Sequence, residues 1–423
     1  MTTREITIEA PTTFTKVSTP GAIPPYDMEL LTPMLGGGVK SWIPDSHNPI
    51  RSQAIKGHLR FWWRTMQCCQ DPATLKARED ALWGSTAQAS TVRLAVTRAG
   101  GWETKTLSRN DKGYVQYENF PPYVLFPLQG NKEEAFFTVV TKQKFQLALH
   151  CRMEDREAVE ASVKLWVLFG GIGARTKRGC GSIACQQIMN EFSSAETIQQ
   201  FLRNFQCAGR DANPFATAPY PQLQNCRFAW DKVSAKGDAT AAWKGFLDEY
   251  GAFRQGEGKA REPSKPGLKH PGPTRWPEAD AIRRLSGKKP GLHTAQAHPA
   301  GTWFPRAAYG LPILTKFKDQ AKEPTGQLTL APAGEGQDRW PSPVILKIIR
   351  LASGDLLKTC LILNQQLPER IKLVGPDIKP DHILTKEEMP LSFHGKAMPA
   401  NAPLRSATSP YDGIIASLNL KET

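Results

Sequence analysis

The sequence contains no apolar run that approaches the roughly 18 residues of a membrane-spanning helix. Its first stretch, MTTREITIEAPTTF, lacks the apolar segment of a signal peptide or an anchor, so neither is expected. The eight cysteines include no C-x-x-C pair and the eight histidines are scattered, which argues against a bound metal. These absences predict a cytoplasmic protein with reduced cysteines and no membrane contact.

Acidic residues are scarce relative to basic ones. Lys and Arg number 54 against 40 Asp and Glu, which leaves a net charge of +14 and an isoelectric point near 9.4. Such a surplus favours polyanionic partners, although a merely basic protein would have the same composition. At 423 residues, 40% of them hydrophobic, the chain is long enough for two domains.

The first half of the sequence predicts the order β-α-β-β-α-β, which is that of the ferredoxin-like fold and of RNA-recognition-motif sheets. Ile55, Leu59 and Trp62 recur every three or four residues and predict an amphipathic helix, with Ser52 as its N-cap. The predicted elements are a strand at 26–35, a helix at 53–67, β-rich stretches at 90–99, 123–129 and 145–152, a helix at 154–169 and a closing strand at 182–188.

The second half predicts a decorated α+β domain with less regular elements. A strand is expected at 226–233, a helix at 241–254, and two strands joined by a Ser-Gly-Asp turn at 343–365. Residues 254–293 are basic and rich in Pro and Gly, so long regular elements are not expected there beyond a short helix within RWPEADAIRRL. The C-terminal tail is expected to be a loop. These patterns predict domains at 1–190 and 191–423.

Residues 169–183, FGGIGARTKRGCGSI, combine five glycines with three cations and no carboxylate. A phosphate-binding Walker loop is excluded because Arg178 stands where its second glycine is required. A dinucleotide fingerprint lacks its third glycine and its preceding strand, so no nucleotide cofactor is expected. The remaining interpretation places Arg175, Lys177 and Arg178 on RNA phosphates, with Gly171 and Gly173 allowing close approach of the backbone. A glycine-rich turn with solvated cations is the alternative.

The helix at 53–67 carries a second group of cations. Lys56, Arg60 and Arg64 are spaced four residues apart and therefore form one stripe, in which like charges repel. A polyanion lying along the stripe would offset this repulsion. Trp62 follows the apolar register and is expected in the core, whereas Trp63 projects differently and is a candidate for stacking on a base.

Together, LLTPMLGGG, SQAIKGHLRFWWR and LFGGIGARTKRGCGSI resemble the RAMP (repeat-associated mysterious protein) family of CRISPR type III effectors. The run LRFWWR narrows the resemblance to the first-numbered RAMP subunit of the Cmr, or type III-B, complex. RWPEADAIRRL, FPRAAYGLPI and RWPSPVILKI extend the resemblance over most of the chain. The chain departs from the family in length. Its basic segment 254–293 looks longer than the shortest form of this segment in the family.

The resemblance implies two ferredoxin-like domains, no cofactor, and a non-catalytic subunit that holds the 3′ part of the CRISPR RNA. It also implies help in capturing complementary target RNA for antiviral defence, beside other RAMP subunits. RNA contact is carried over to the glycine-rich loop and to the cationic stripe. Guide–target pairing would then supply specificity while the protein contacts phosphates, so affinity should fall with salt.

Two rival functions are compatible with the sequence. Asp45 and His47 precede the first helix, where cleaving RAMP subunits carry a catalytic aspartate, and could serve a metal-assisted or metal-independent endoribonuclease. The alternative is that Asp45 and His47, between Pro44 and Pro49, merely shape a turn, and it is favoured because no second acid or base partner is evident. The other rival is a structural capping subunit that contacts only protein.

Overall fold

The computed structural model describes most of the chain. The described residues are 21–39, 43–45, 47–68, 71–125, 136–206, 220–233, 237–255, 274–287, 301–317, 323–334, 336–385, 387–389 and 402–422. The predicted basic segment 254–293 therefore lies largely outside them, apart from residues 254–255 and 274–287.

Strands and helices are numbered in chain order. The strands are β1 Ala22–Leu30, β2 Met34–Leu35, β3 Arg93–Arg98, β4 Glu103–Ser108, β5 Phe136–Lys142, β6 Lys144–His150, β7 Ile183–Ala184, β8 Gln222–Val233, β9 Ile313–Lys316, β10 Gln327–Pro332, β11 Val344–Arg350, β12 Leu356–Asn364, β13 Ile371–Gly375, β14 Ile378–Ile383 and β15 Lys421–Glu422. The helices are α1 Ser52–Thr65, α2 Pro72–Trp83, α3 Pro122–Leu125, α4 Arg156–Phe169, α5 Gln186–Met189, α6 Ala195–Arg203, α7 Ala239–Gln255, α8 Pro277–Leu285 and α9 Pro410–Ser417.

The first ferredoxin-like unit is built on a four-stranded antiparallel sheet in the order β3-β6-β1-β7. Its chain order β1-α1-β3-β6-α4-β7 is the predicted β-α-β-β-α-β pattern. Met28 on β1 faces Phe145 on β6 in the register, and both belong to the core under α1 and α4. The register of β1 shifts at Pro24 and Pro25, which have no N–H group to donate to a ladder.

A second unit repeats this topology in the other half of the chain. Its antiparallel sheet has the order β11-β12-β8-β15, and its elements follow as β8-α7-β11-β12-α9-β15. The sequence predicted the β11–β12 hairpin and α7. The expectation of a loop in the tail was wrong, because α9 and β15 complete this unit. The fold class is therefore α+β with two ferredoxin-like units, as the resemblance implied.

The second sheet is buried on both faces. On β11, Leu346 and Ile348 join the core of α7 and α9, whereas Ile345 and Ile349 join the core of α1 and α4. Double burial explains why this strand has an almost continuous apolar sequence instead of an alternating one. Each of these two cores contains residues of both units. The predicted domain boundary at residue 190 stays a prediction.

Additional elements decorate both units. The three-stranded sheet β2-β5-β4 accompanies the first unit, and the sheet β14-β13-β10-β9 forms a small core with α8 in the second. The predicted strand at 123–129 is wrong over its described part, because Pro122–Leu125 is a short helix.

None of the helices in the described parts of the chain is long and apolar enough to cross a bilayer. Cys68 is disulfide-bonded, so the expectation of reduced cysteines is wrong for that residue.

Candidate nucleic-acid interface

The glycines of the glycine-rich loop allow close approach, but to the chain's own backbone. A Cβ on Gly173, whose φ is +84°, would lie 2.5 Å from the carbonyl oxygen of Leu35. A Cβ on Gly171 would lie 2.8 Å from the carbonyl oxygen of Gly181. The amide of Ala174 donates to Leu35 O at 2.7 Å, which fastens the loop to β2. Gly171 is buried, so its predicted RNA contact is wrong in this structure, and Gly173 serves packing first.

Two of the three loop cations bind the second ferredoxin-like unit. Lys177 Nζ donates to the carbonyl oxygen of Ser342 at 2.6 Å. Arg178 Nη1 donates to Val344 O at 2.6 Å, and its Nη2 donates to Ser342 Oγ at 3.1 Å. Burial, and then the nearby Arg178, lower the pKa of Lys177 to about 8. The sequence predicted phosphate contacts for both cations, but their hydrogen bonds hold the loop against the start of β11.

Lys347 of β11 supports the loop from the other side. It is only 1% exposed, and its Nζ donates to the carbonyl oxygens of Val167 and Gly170 at the end of α4. The last carbonyls of a helix have no partner within the helix, so this lysine satisfies them as a cap. Burial holds the pKa of Lys347 well below its usual range. Lys347 thus fixes the point at which α4 ends and the glycine-rich loop begins.

Arg175 differs from Lys177 and Arg178 in having no hydrogen-bond or ion-pair partner among the described residues. It has left-handed backbone angles, φ 60° and ψ 27°, which cost an L-residue about 1 kcal/mol. Its Nε is buried without a hydrogen-bond partner in the described part of the chain. Burial and the charge of Arg178 lower the pKa of its guanidinium. Among the predicted loop cations, Arg175 is therefore the one to which the described residues offer no hydrogen-bond acceptor.

The cationic stripe on α1 is partly neutralised from within. Arg60 Nε donates to Glu79 Oε1 at 2.8 Å, and Arg64 Nη1 lies 3.4 Å from Glu79 Oε2. The Glu79 carboxylate on α2 is almost fully buried, so the two arginines hold it in place. The repulsion along the stripe is thus offset by this carboxylate, so it does not by itself call for a polyanion, and RNA contact by the stripe stays a prediction. Lys56 is half-buried, and burial followed by the charge of Arg60 lowers its pKa.

Trp63 is not available for stacking on a base. Only 4% of its surface is exposed, and it belongs to the same core as Trp62. Trp62 lies 6.1 Å from Phe169, measured between ring centroids. The prediction for Trp62 is confirmed and the prediction for Trp63 is wrong, because α2 and β8 bury a face of α1 that single-helix periodicity assigns to solvent.

The loop and α1 lie side by side, as the interface hypothesis requires. Lys177 Nζ is 5.7 Å from the ring centroid of Phe61 on α1. A Cβ on Gly170 would lie 2.8 Å from Trp62 Nε1. The predicted site residues therefore lie close together. Among the described residues, however, some of their charged groups have protein partners and others do not. Lys56 and Arg175 remain as the predicted contact cations for which the described residues provide neither an ion pair nor a hydrogen-bond acceptor.

Asp45 and His47 form part of a turn. Asp45 Oδ1 accepts hydrogen bonds from the amides of His47 and Asn48, both at 2.9 Å. These backbone hydrogen bonds, first that of Asn48, lower the pKa of Asp45. A carboxylate with a lowered pKa is a weaker base for a ribose hydroxyl. Within the described ranges, no group of three or more His, Cys, Asp or Glu could hold a metal ion.

Sequence reasoning missed three residues beside the loop. Tyr123 and Tyr250 pack edge to face with ring centroids 5.5 Å apart, and the Arg178 guanidinium lies 5.0 Å from the Tyr250 centroid. Arg254, at the end of α7, interacts electrostatically with Tyr123 and Tyr250. The sequence gives no signal for this group, because α3 and α7 meet here only through tertiary packing.

Comparison with known proteins indicates the family of the first ferredoxin-like unit. Residues 27–184 match the model of the RAMP superfamily. Over 181 residues the chain is 24% identical to the CRISPR system Cmr subunit Cmr1-2 of Pyrococcus furiosus, covering 38% of this chain and 95% of that protein. It is 28% identical over 150 residues to Cmr1-1 of the same organism, covering 34% of this chain and 42% of that protein.

Solved structures are also similar. The crystal structure of apo Cmr1 from P. furiosus superposes with a TM-score of 0.48 at 16% identity, over 94% of this chain and 97% of that chain. A chain of the type III-B Cmr-beta complex bound to cognate target RNA gives a TM-score of 0.43 at 13% identity, over 80% and 94% of the two chains. From the family match, which contains β1, α1, α4 and the glycine-rich loop, we conclude that residues 27–184 of this chain are a RAMP superfamily domain.

Proposed function

We propose that this chain is a non-catalytic RNA-binding subunit of a type III-B CRISPR effector complex. In that role it holds the 3′ part of the CRISPR RNA and helps to capture complementary target RNA beside other RAMP subunits. The RAMP domain and the similarity to Cmr subunits support this proposal. The net charge of +14 supports a polyanionic partner.

The observation that carries the proposal is the uncompensated charge of Arg175. A guanidinium with a buried, unpaired N–H costs free energy unless a partner reaches it, and charge-assisted partners are the strongest. RNA phosphates supply such partners without reading sequence. The adjacent α1 contributes Lys56, for which the described residues likewise provide no ion pair.

A labelled single-stranded RNA titrated with the full chain over a series of salt concentrations tests the proposal. We expect affinity to fall as salt rises, with a slope of about −0.7 per neutralised phosphate. Crosslinked RNA mapped by mass spectrometry should reach the segment that contains Arg175. Absence of RNA binding by the full chain, alone and within the reconstituted complex, would contradict the proposal.

A structural capping subunit is the second candidate, and one observation favours it. Lys177 and Arg178 bind backbone of the chain itself, and Arg60 and Arg64 bind Glu79, so four predicted RNA contacts already have protein partners. This candidate predicts assembly with other subunits without crosslinks between this chain and RNA.

The non-catalytic part of the proposal has its own test. The full chain, incubated with labelled RNA and Mg²⁺ or Mn²⁺, is expected to leave the RNA intact. Asp45→Asn, which keeps the shape of the side chain, is expected to behave in the same way. Cleavage by the wild type that Asp45→Asn abolishes would establish the endoribonuclease instead.

A further inference from the structure

The region beside the glycine-rich loop contains three arginines around one pair of tyrosines. Arg178 lies over the Tyr250 ring, and Arg254 interacts electrostatically with Tyr250 and Tyr123. Arg175 is within electrostatic range of both tyrosines and of Arg178. We call Arg175, Arg178, Arg254, Tyr123 and Tyr250 the arginine–tyrosine cluster. Gly251 of α7 makes room for it, since a Cβ there would lie 3.3 Å from Tyr123 Cβ.

The cluster has more positive charge than the described residues neutralise. Arg175 Nε and Arg254 Nη1 are both buried without a hydrogen-bond partner in the described part of the chain. No Asp or Glu forms an ion pair with Arg175, Arg178 or Arg254 among the residues that the structure describes. Guanidinium groups that lose water without gaining acceptors are unstable, so a missing acceptor is indicated.

The backbone provides an independent indication. Arg175 adopts left-handed angles that glycine would accept at lower cost, within a loop that already contains five glycines. Strain of this kind persists where the surrounding structure imposes it, and such residues are concentrated at ligand sites. Here the strained position presents a guanidinium to the cluster.

We propose that a phosphate-class oxyanion binds within the arginine–tyrosine cluster between Arg175 and Arg254, with the Tyr123 hydroxyl as a hydrogen-bond donor; Arg178 is not a ligand, because Val344 O and Ser342 Oγ already accept from it. Arg254 lies outside the RAMP domain, on α7 of the second ferredoxin-like unit, so the oxyanion bridges the two units. Arg175, Arg254 and Tyr123 are half-buried. Two sources supply this chemistry, the RNA backbone and free phosphate. The first of these rests on the proposed function.

The first arm of the test measures thermal unfolding of the full chain in chloride and in inorganic phosphate at matched pH and ionic strength. Phosphate should raise the Tm of the wild type and also of the control variant Arg370→Gln, which replaces an exposed arginine just before β13. The increment should disappear in Arg254→Gln. An arginine that only supports the fold would lower Tm equally in both buffers. Equal increments in wild type and Arg254→Gln would overturn the proposal.

The second arm separates the two sources. If the oxyanion is an RNA phosphate, Arg254→Gln should weaken binding of labelled single-stranded RNA about tenfold and reduce the salt slope by about 0.7. If RNA binding is unchanged while the phosphate increment is lost, free phosphate is the ligand. If the wild type binds no RNA but shows the phosphate increment, the proposed function fails and the oxyanion site stands.

A second variant covers the case in which Arg254→Gln does not fold. Arg175→Gly removes the other guanidinium at a position whose backbone suits glycine, so folding should be preserved. It should lose the phosphate increment as Arg254→Gln does. Retention of the full increment in Arg175→Gly would contradict the assignment of Arg175 to this site.

Discussion

Lys347 Nζ lies 2.7 Å from the carbonyl oxygen of Gly170, so a strand of the second ferredoxin-like unit caps the last turn of a helix in the first. The carbonyl oxygen of Val167 accepts a further hydrogen bond from the same ammonium group. The contact explains a single lysine within the apolar run VILKIIR. It also fixes the start of the glycine-rich loop relative to the second sheet.

Replacing Lys347 should destabilise the protein strongly. Lys347→Ala leaves the two helix-end carbonyls without a donor and opens a cavity, so we expect the free energy of unfolding to fall by about 2–4 kcal/mol. Urea unfolding followed by circular dichroism measures this. Lys372→Ala, which removes a half-exposed lysine of β13, is the control and should change stability by less than about 0.5 kcal/mol. A loss of similar size in both variants would contradict the cap.

Arg178 should act mainly on stability. Its guanidinium binds Val344 O and Ser342 Oγ, so Arg178→Gln should lower the free energy of unfolding by about 1.5–3 kcal/mol. RNA affinity of the folded fraction should change little, because these donors already have protein acceptors. Urea unfolding and RNA titration of the same variant separate an effect on stability from an effect on binding. A stable Arg178→Gln variant that has lost RNA binding would show that Arg178 acts on RNA instead.

Stability should depend on the titration of Lys177. Its pKa is about 8 in the folded chain, against 10.5 for an ordinary lysine, because of burial and Arg178. Between these pH values the unfolded chain binds more protons, so the free energy of unfolding should rise with pH across this window. The difference between wild type and Lys177→Met, measured from pH 7.5 to pH 10.5, isolates the contribution of Lys177. A difference that is constant with pH would contradict the lowered pKa.

Glu79 should weaken RNA binding by the cationic stripe, because its carboxylate pairs with Arg60 and Arg64. Glu79→Gln keeps the shape of the side chain but releases Arg60 and Arg64 from their carboxylate, and should cost about 1–3 kcal/mol of stability. The released charge should strengthen RNA binding and steepen its salt dependence. Asp381→Asn, at an exposed ion pair with Lys372, is the control. Unchanged RNA affinity in Glu79→Gln would indicate that the stripe does not face RNA.

Periodicity predicted the elements that bury one face. Ile55, Leu59 and Trp62 define α1 because a single apolar stripe faces the core, and the structure buries all three. The same reasoning failed for Trp63, since a helix between two layers buries a second face. It also failed at Pro122–Leu125, where a short apolar run fits a strand or a helix equally well.

Charge was harder to interpret than hydrophobicity. The sequence identified the loop cations, but their partners are carbonyls of residues more than 160 positions away along the chain, as for Lys177 and Ser342. Arg60 and Glu79 are 19 residues apart and meet only because α2 folds back on α1. Hydrogen bonds and ion pairs of this kind depend on tertiary packing. The sequence therefore indicates where cations cluster, but not which of them are available to a ligand.

The most direct test of the account compares two arginines of the same loop. RNA affinity is measured against salt concentration for the wild type, Arg175→Gly and Arg178→Gln, each confirmed as folded by circular dichroism. Arg175→Gly is expected to bind RNA about tenfold more weakly, with a slope smaller by about 0.7, and to be as stable as the wild type. The wild-type slope is expected for Arg178→Gln. A wild-type slope and affinity in Arg175→Gly would contradict the claim that the unpaired guanidinium of this loop meets a phosphate of RNA.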